Sequence, residues 1–160
     1  MVTGLTIRAM TETDREAVGL VGIRAWQSSS AFEDTYLDPI VIERGEFEVF
    51  ARETNCDVVI AEIGGFVIGW GARAGDPDYI SDIWVDPDYQ GRGIGRVLVK
   101  YFLDEMRRSH LPAAKIATHA RNVNAIRAYE RCGFRIVWQG AQWSESMKVE
   151  LQKVRLEKPL

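Results

Sequence analysis

The sequence predicts a mixed α/β (α+β) fold in one domain, residues 1–160, with a mostly antiparallel sheet of six or seven strands and about four helices. Three observations predict it. Short β-rich segments alternate with segments of helical periodicity. Three successive strands are joined by short turns, which favours antiparallel pairing over a doubly wound parallel sheet. A chain of 160 residues with 46% apolar side chains is typical of one globular domain.

The first part of the chain predicts one strand and two helices. Leu5–Ala9 is short and β-rich. Thr13 and Glu16 have the spacing of a capping box, and the apolar periodicity that follows predicts a helix to about Ser28. An Asp-Pro pair opens the segment 38–52 and is typical of a helix start, with proline in the first turn.

Three strands are predicted in the middle of the chain. Asp57–Ile63 and Phe66–Arg73 flank a Gly-Gly pair, which predicts a hairpin. Tyr79–Val85 is predicted as the next strand, because it is β-rich and ends at another Asp-Pro pair.

The remainder of the chain predicts two helices and three strands. Gly93–Ser109 has the strongest helical periodicity of the sequence. Lys115–His119 predicts a short strand, and Asn122–Cys132 predicts a helix that the following glycine can terminate. The last two strands are predicted at Phe134–Gln139 and at about Ser146–Leu156.

The composition disfavours several classes of protein. No apolar run approaches the ~20 residues of a membrane helix, and residues 1–10 lack the apolar core of a signal peptide. A net charge of −3 disfavours nucleic-acid binding, and Cys56 and Cys132 alone can form neither a disulfide framework nor a zinc site. We expect a cytoplasmic protein that holds no metal and binds neither nucleic acid nor a membrane.

Charge is distributed unevenly along the chain. Residues 1–60 carry five basic and eleven acidic side chains, whereas residues 90–135 carry ten basic and three acidic ones. The basic segment suits a small polyanionic ligand, and the acidic segment suits a cationic one. Ordinary solvated surface explains the same charges equally well.

Gln90–Arg96, with glycines at 91, 93 and 95, predicts an anion-binding loop at the start of a helix. Glycine lets the backbone approach a ligand, and the amides of a first helical turn lack intrahelical partners. Arg92 and Arg96 add positive charge. The spacing matches neither the dinucleotide fingerprint nor the Walker loop. A flexible strand–helix turn without a ligand is the remaining alternative.

Two segments together resemble the GCN5-related N-acetyltransferase (GNAT) superfamily. Val85–Gly95 is similar to the family's acetyl-CoA motif, Gln/Arg-x-x-Gly-x-Gly/Ala, which follows its fourth strand. Asn122–Phe134 is similar to a second motif, Asn-x-x-Ala-x-x-x-Tyr-x-x-x-Gly-Phe. The resemblance covers nearly the whole chain, and it implies a sheet that is splayed between its fourth and fifth strands.

The resemblance implies acetyl-CoA as the co-substrate. Main-chain amides of the loop would hold its pyrophosphate, and the pantetheine arm would lie along the open edge of the fourth strand. The Val85 amide would donate to the thioester carbonyl. The cofactor-binding residues implied in this way are Ile83, Trp84, Val85, Gln90, Gly91, Arg92, Gly93, Ile94, Gly95, Arg96, Asn122, Ala125 and Tyr129.

Tyr129 and Asp82 are the catalytic candidates. The resemblance implies that the Tyr129 hydroxyl lies near the sulfur. A hydrogen bond to the departing thiolate is its expected role, because a tyrosine pKa of about 10 exceeds a thiol pKa of about 8.5. Asp82 is the candidate base if a β-bulge turns it toward the site. His119, or a water held by Ser81 and Tyr79, is the alternative base.

The implied reaction is direct attack of a primary amine on acetyl-CoA in a ternary complex. Aromatic and acidic side chains near the first two helices and the C-terminal hairpin suit a cationic amine with an apolar body. The expected acceptor residues are Trp26, Phe32, Glu33, Tyr36 and Trp143. Core or dimer contacts explain the aromatic residues among them equally well. A small-molecule amine is favoured, because Ala117 stands where family members that acetylate protein N-termini often carry an acid or a base. Protein acetylation, a non-catalytic acyl-CoA sensor and a homodimer stay open as alternatives.

Overall fold

The structure, a computed structural model, describes residues 2–29, 47–144 and 149–160. Within these ranges the helices are α1 (Arg15–Gln27), α2 (described over 47–53), α3 (Ile94–Arg108) and α4 (Val123–Arg131). The strands are β1 (Leu5–Ala9), β2 (Asp57–Ile63), β3 (Phe66–Arg73), β4 (Tyr79–Ile80), β5 (Asp82–Val85), β6 (Ala113–His119), β7 (Arg135–Ser144) and β8 (Val149–Pro159).

The strands form two four-stranded sheets, in the orders β1-β2-β3-β5 and β4-β6-β8-β7. Each of these pairings is antiparallel except that of β4 with β6. β4 and β5 are the two halves of the strand predicted over Tyr79–Val85, so the sheet divides within that strand. The predicted α/β class, the mostly antiparallel order and the splay beside the fourth strand are therefore confirmed.

A bulge at Ser81 separates β4 from β5. The Ser81 amide donates to the Ala72 carbonyl (2.9 Å), and Asp82 is the register partner of the same residue. Because Ser81 and Asp82 both lie opposite Ala72, the alternation of side chains along the strand shifts by one position. Ile80 and Ile83 therefore pack on the same core, although strict alternation would place them on opposite faces. Asp82 is turned to the other face, as the predicted bulge required.

Two hydrophobic cores hold the helices against the sheets. The larger core packs α3 and α4 against strands of both sheets, and its fully buried residues include Leu98, Phe102 and Leu156. The smaller core packs α1 and α2 against β2 and β3 around Trp70. Because one core lies under both sheets, they stay together although β5 and β6 do not pair.

The start of α1 differs from its prediction. The capping box is formed by Thr11 and Asp14, not by Thr13 and Glu16, and it caps the 3₁₀ turn Glu12–Asp14 that leads into α1. Asp14 Oδ2 accepts hydrogen bonds from the Thr11 amide (2.7 Å) and from Arg8 Nη1 (2.8 Å). The ion pair between Asp14 and Arg8 on β1 favours the Thr11–Asp14 box over the Thr13–Glu16 box. The spacing of residues within the helix start does not reveal this contact with a strand.

Other boundaries move by a few residues. β7 continues beyond its predicted end to Ser144, because it pairs with β8 along its whole length. Asn122 is the N-cap of α4 rather than its first residue. The predicted helix start at 38–39 and the predicted strand start at 146 lie outside the described residues.

Asp14→Asn is expected to lower the free energy of unfolding at pH 7 by about 2 kcal/mol. The hydrogen bonds from Arg8 hold the pKa of the buried Asp14 carboxyl down to about 2, below its usual value near 3.9. A lowered pKa stabilises the folded state above the unfolded-state pKa, and that stability is lost as pH falls toward 2. Urea denaturation should therefore show a difference between wild type and variant that shrinks from pH 7 to pH 3.

The control for this prediction is Glu12→Gln. Glu12 pairs with Arg15 at 2.9 Å, but its side chain is 83% exposed. Exposed pairs contribute little, so a much smaller loss than that of Asp14→Asn is expected. Equal losses for the two variants would contradict the role assigned to Asp14.

Candidate active site

The open edge of β5 is the centre of the candidate site. The Asp86 amide donates to the Ile68 carbonyl (2.8 Å), which identifies a hydrogen-bonded pair at the end of the β3–β5 ladder. Hydrogen-bonded and non-hydrogen-bonded pairs alternate in such a ladder, so Ile83 and Val85 direct their N–H and C=O groups away from β3. On that side β6 pairs with β4 and not with β5, so these groups face a cleft between the sheets.

The loop before α3 presents a row of backbone amides. Gly91 and Gly93 have φ values of 77° and 83°, which favour glycine. A Cβ on either would meet no atom within 4 Å, so the space beside the loop is open. The Val97 amide is the first in α3 to donate a hydrogen bond to a preceding carbonyl, that of Gly93 (3.1 Å). The amides of 94–96 donate to no acceptor among the described residues, and they lie at the positive end of a 15-residue helix.

Two contacts hold this loop beside the open strand. Gln90 Nε2 donates to the Val85 carbonyl (3.0 Å). A Cβ on Gly95 would lie 3.7 Å from Ile83 Cγ2, so the first turn of α3 packs directly on β5. The amide row and the edge of β5 therefore form one continuous surface, which can bind an anion at one end and an extended chain along the other.

Arg92 and Arg96 add charge to this surface. Both side chains are exposed, and neither forms an ion pair with a carboxylate of the described residues. The Arg92 guanidinium lies 5.1 Å from the centre of the Tyr89 ring. Their charge is available to an anionic ligand at the start of α3.

α4 presents Asn122, Ala125 and Tyr129 at the spacing of one helix face. Asn122 already has a structural role, because its Oδ1 accepts from the Ala125 amide (3.3 Å) and its Nδ2 donates to Thr118 Oγ1 (3.3 Å). Tyr129 is 7% exposed and packs edge-on against Phe134, with the ring centres 6.3 Å apart. Burial raises the pKa of Tyr129 far above its usual value, so the hydroxyl stays a neutral donor.

Asp82 is held in a defined orientation at the start of β5. Its Oδ2 accepts from Ser81 Oγ (2.8 Å), and its Oδ1 accepts from Trp84 Nε1 (3.1 Å). Burial raises the pKa of Asp82, while the two hydrogen bonds and the charge of Lys153 oppose that rise. A carboxylate with a raised pKa is a better proton acceptor than an ordinary aspartate.

The charge of Asp82 acts on two tyrosines. The pKa of Tyr79 and that of Tyr129 are raised mainly by burial, and the negative charge of Asp82 raises both further. The cleft therefore has a carboxylate and a neutral phenol within electrostatic range of each other. These are the two groups that an acyl transfer to an amine requires, a proton acceptor and a donor to the leaving group.

The predicted acceptor residues need correction. Trp26 is 2% exposed and belongs to the smaller core, because helical spacing places it on the inner face of α1. Trp143 is 51% exposed, but the strand register places it on the face of β7 that is opposite to Trp138. Burial in the core does not fit a role of Trp26 in binding an acceptor, and the role of Trp143 stays a prediction. Phe32, Glu33 and Tyr36 lie outside the described residues.

One face of the second sheet carries a group of side chains that the sequence alone does not bring together. β7 places Trp138 and Gly140 there, opposite Arg155 and Lys153 of β8. His119 of β6 is buried on the same face, opposite Lys153. Trp138 and Gly140 are two residues apart in the sequence, and so are Lys153 and Arg155. Only the strand register shows that the β7 pair and the β8 pair are neighbours.

The described ranges contain neither a metal-binding cluster nor a membrane-spanning helix. No group of three or more His, Cys, Asp or Glu side chains there could hold a metal ion. No helix in these ranges is long and apolar enough to cross a membrane.

Comparison with known proteins first gives a family. The family model described as "Acetyltransferase (GNAT) family" matches residues 20–134. The matched region contains the amide row, both halves of the divided strand and α4. It covers more than half of the chain.

Two curated relatives share part of the sequence. A mycothiol acetyltransferase of Thermomonospora curvata is 38% identical over 47% of this chain and 26% of its own length. The ribosomal protein bS18-alanine N-acetyltransferase of Escherichia coli is 37% identical over 37% of this chain and 40% of its own length. The matches span less than half of either relative.

Solved structures share the fold over the whole chain. A GCN5-related N-acetyltransferase from Rhodopseudomonas palustris has a TM-score of 0.79 at 18% identity and covers 100% of this chain and 99% of its own. A Salmonella typhimurium acetyltransferase, determined with acetyl-CoA as its cofactor, has a TM-score of 0.70 at 22% identity and covers 99% and 95%. At these identities the likeness establishes the fold.

Proposed function

The chain belongs to the acetyltransferase (GNAT) family, and from this premise we propose that it transfers the acetyl group of acetyl-CoA to the primary amine of a small molecule. The observation that carries the proposal is the row of available amides at the start of α3, beside the open edge of β5. A diphosphate fits the amides, and an extended pantetheine arm fits the strand edge. Coenzyme A joins these two groups in one molecule.

The reaction is direct attack in a ternary complex. The amine nitrogen bonds to the thioester carbon, the C–S bond breaks, and CoA leaves as a thiolate. The Val85 N–H, directed into the cleft, stabilises the oxyanion of the intermediate. Asp82 takes the proton that the ammonium must lose before attack. Tyr129 donates a hydrogen bond to the leaving sulfur.

Position 117 favours a small-molecule acceptor. Ala117 lies on β6 opposite Arg155 of β8, and it offers neither a carboxylate nor an imidazole to a protein N-terminus. Protein acetylation is the second candidate, because the E. coli relative is named for the alanine of a ribosomal protein. An acyl-CoA sensor on the same fold is the third.

A thiol-release screen tests the proposed function. Purified protein is incubated with acetyl-CoA and, in turn, polyamines, aminoglycosides, amino acids and short peptides. Release of CoA with a small amine is the expected result. Release with peptides alone would favour protein acetylation, and binding of acetyl-CoA without release would favour the sensor. A protein that does not bind acetyl-CoA in calorimetry would contradict all three.

Tyr129→Phe is expected to lower kcat by roughly 10- to 100-fold, because it removes a hydrogen bond to a charged leaving group worth about 1.5–3 kcal/mol. The Kd for acetyl-CoA should change little, since the amides and the strand edge carry the binding. Because the pKa of Tyr129 is raised, the wild-type rate should show no loss from phenol ionisation at moderately alkaline pH.

The matched control is Tyr101→Phe. Tyr101 lies on α3 against Phe102, with ring centres 5.9 Å apart, and it has no part in the proposed reaction. Its loss of a hydroxyl should leave kcat unchanged. A large loss of acetyl-CoA affinity in Tyr129→Phe, with kcat preserved, would contradict the assigned role.

A further inference from the structure

We propose that Arg155, stacked on Trp138 on the face of the second sheet that also carries Lys153, binds an anionic group of the acceptor, so that the preferred substrates are amines that also carry a carboxylate or a phosphate. This inference rests on the proposed function and names the substrate class of the same site. It narrows the expected acceptor, a cationic amine with an apolar body, to an amine that also carries an anionic group.

Stacking on an aromatic ring orients the Arg155 guanidinium and leaves its donors available to a ligand. Its guanidinium carbon lies 4.4 Å from the centre of the Trp138 ring, and the two residues are register partners across β7 and β8. A guanidinium that lies on an aromatic ring keeps the donors along its edge free for a carboxylate or phosphate. No carboxylate of the described residues forms an ion pair with Arg155, whose side chain is exposed.

Gly140 lets the Trp138 ring lie against the backbone of β7. A Cβ on Gly140 would lie 2.8 Å from Trp138 Cζ2, so the indole ring lies over the backbone at this position. Any larger side chain would displace the ring. Gly140 is also the register partner of Lys153, so the ring extends toward that second cation.

Lys153 connects the anion site to the catalytic cleft. Its side chain is half-buried, and its charge acts on Asp82. Burial lowers the pKa of Lys153, and the Asp82 carboxylate opposes that effect. The first sheet therefore presents the Asp82 carboxylate on β5, and the second sheet presents two cations on β8, of which Lys153 lies within electrostatic range of Asp82.

The neighbouring positions carry no acid that would neutralise Arg155 and Lys153. Across β6 their register partners are Ala117 and His119, and across β7 they are Trp138 and Gly140. The next acid on this face, Glu157, lies between two bases, since it is the register partner of both Lys115 and Arg135.

This distribution of charge selects a zwitterionic acceptor. The ammonium group is drawn to Asp82, which removes its proton, and the anionic group is drawn to Arg155. An amine without an anionic group would leave the Arg155 guanidinium without a counter-charge when it covers that side chain. An aromatic or aliphatic body between the two groups would lie over the Trp138 ring.

Matched acceptor pairs test the inference in the same thiol-release assay. The pairs are amino acids with their amides, and phosphoethanolamine with ethanolamine, in wild type and Arg155→Gln. The wild type should prefer the anionic member of a pair by at least roughly tenfold in kcat/KM. Arg155→Gln should raise KM for that member by roughly 10- to 100-fold, while KM for the neutral member and the Kd for acetyl-CoA stay unchanged.

Two further variants make the result specific. Arg135→Gln removes the same charge from the neighbouring strand and should change neither selectivity nor KM. Gly140→Val displaces the Trp138 ring and should reduce the same preference with Arg155 still present, and thermal unfolding monitors whether it folds. The preference for the phosphate or the carboxylate pair identifies which anion the site takes.

The inference and the proposed function fail in different ways. If neutral amines are acetylated as well as their anionic partners, or if Arg155→Gln changes both members of a pair equally, the anion site is wrong and the acetyltransferase stands. If acetyl-CoA binds but none of the amines releases CoA, the proposed function fails and the inference fails with it.

Discussion

Gly93→Val is expected to raise the Kd for acetyl-CoA by at least roughly 100-fold, with a folded protein. Gly93 has a φ of 83° at the N-cap of α3. A β-branched residue is strongly disfavoured there, so the backbone must leave the left-handed region and turn the amides of residues 94–96 out of line. Losing two amide–phosphate hydrogen bonds, each worth about 1.5–3 kcal/mol, accounts for the size of the effect. Isothermal calorimetry measures it directly.

Gly65→Val is the matched control for this prediction. Gly65 has the same φ of 83°, in the turn between β2 and β3, and a Cβ on it would also meet no atom within 4 Å. Both variants therefore carry similar backbone strain, and both should lose a similar amount of stability in urea denaturation. Only Gly93→Val should lose acetyl-CoA. Equal affinities in the two variants would remove the amide row from the binding site.

The cofactor side of the site could be predicted from sequence because its chemistry is local. The glycines of the loop and the start of α3 are neighbours in the chain, so their spacing alone predicts where amides lack partners. The helix face of α4 follows from its period in the same way. The one non-local requirement, the bulge at Ser81, was predicted only as a condition for Asp82 to face the cleft.

The acceptor side could not be predicted because it depends on register. A second bulge, between Ile136 and Trp138, shifts the alternation of β7 by one residue. That shift turns Trp138 to the face of Arg155 and leaves Trp143 on the opposite face. No local signal in the sequence marks the extra residue. The aromatic residue that a pattern singles out is therefore not the one that the sheet brings beside the cleft.

Asp82→Asn is expected to lower kcat by roughly 10²- to 10⁴-fold, the range of a general base, with little change in the Kd for acetyl-CoA. Asn keeps the size of Asp and can still accept from Trp84 Nε1, so the bulge and β5 should persist. In the wild type, kcat/KM should rise with pH as the carboxyl ionises, with a midpoint above that of an ordinary aspartate because burial raises the pKa of Asp82. In the variant this acidic limb should disappear.

Trp84→Phe separates a base from a group that merely binds the ammonium. The variant removes the hydrogen bond that opposes the rise in the pKa of Asp82, so the acidic limb should move to higher pH with most of the plateau rate retained. The phenyl ring at position 84 of the variant can still make an edge contact with Phe47, as the Trp84 ring does. If Asp82 only binds the ammonium, Asp82→Asn should raise KM at unchanged kcat, and Trp84→Phe should leave the pH profile of kcat where it is. Proton removal by Asp82 requires the acidic limb to disappear in Asp82→Asn and to move to higher pH in Trp84→Phe, since the same carboxyl is responsible for that limb.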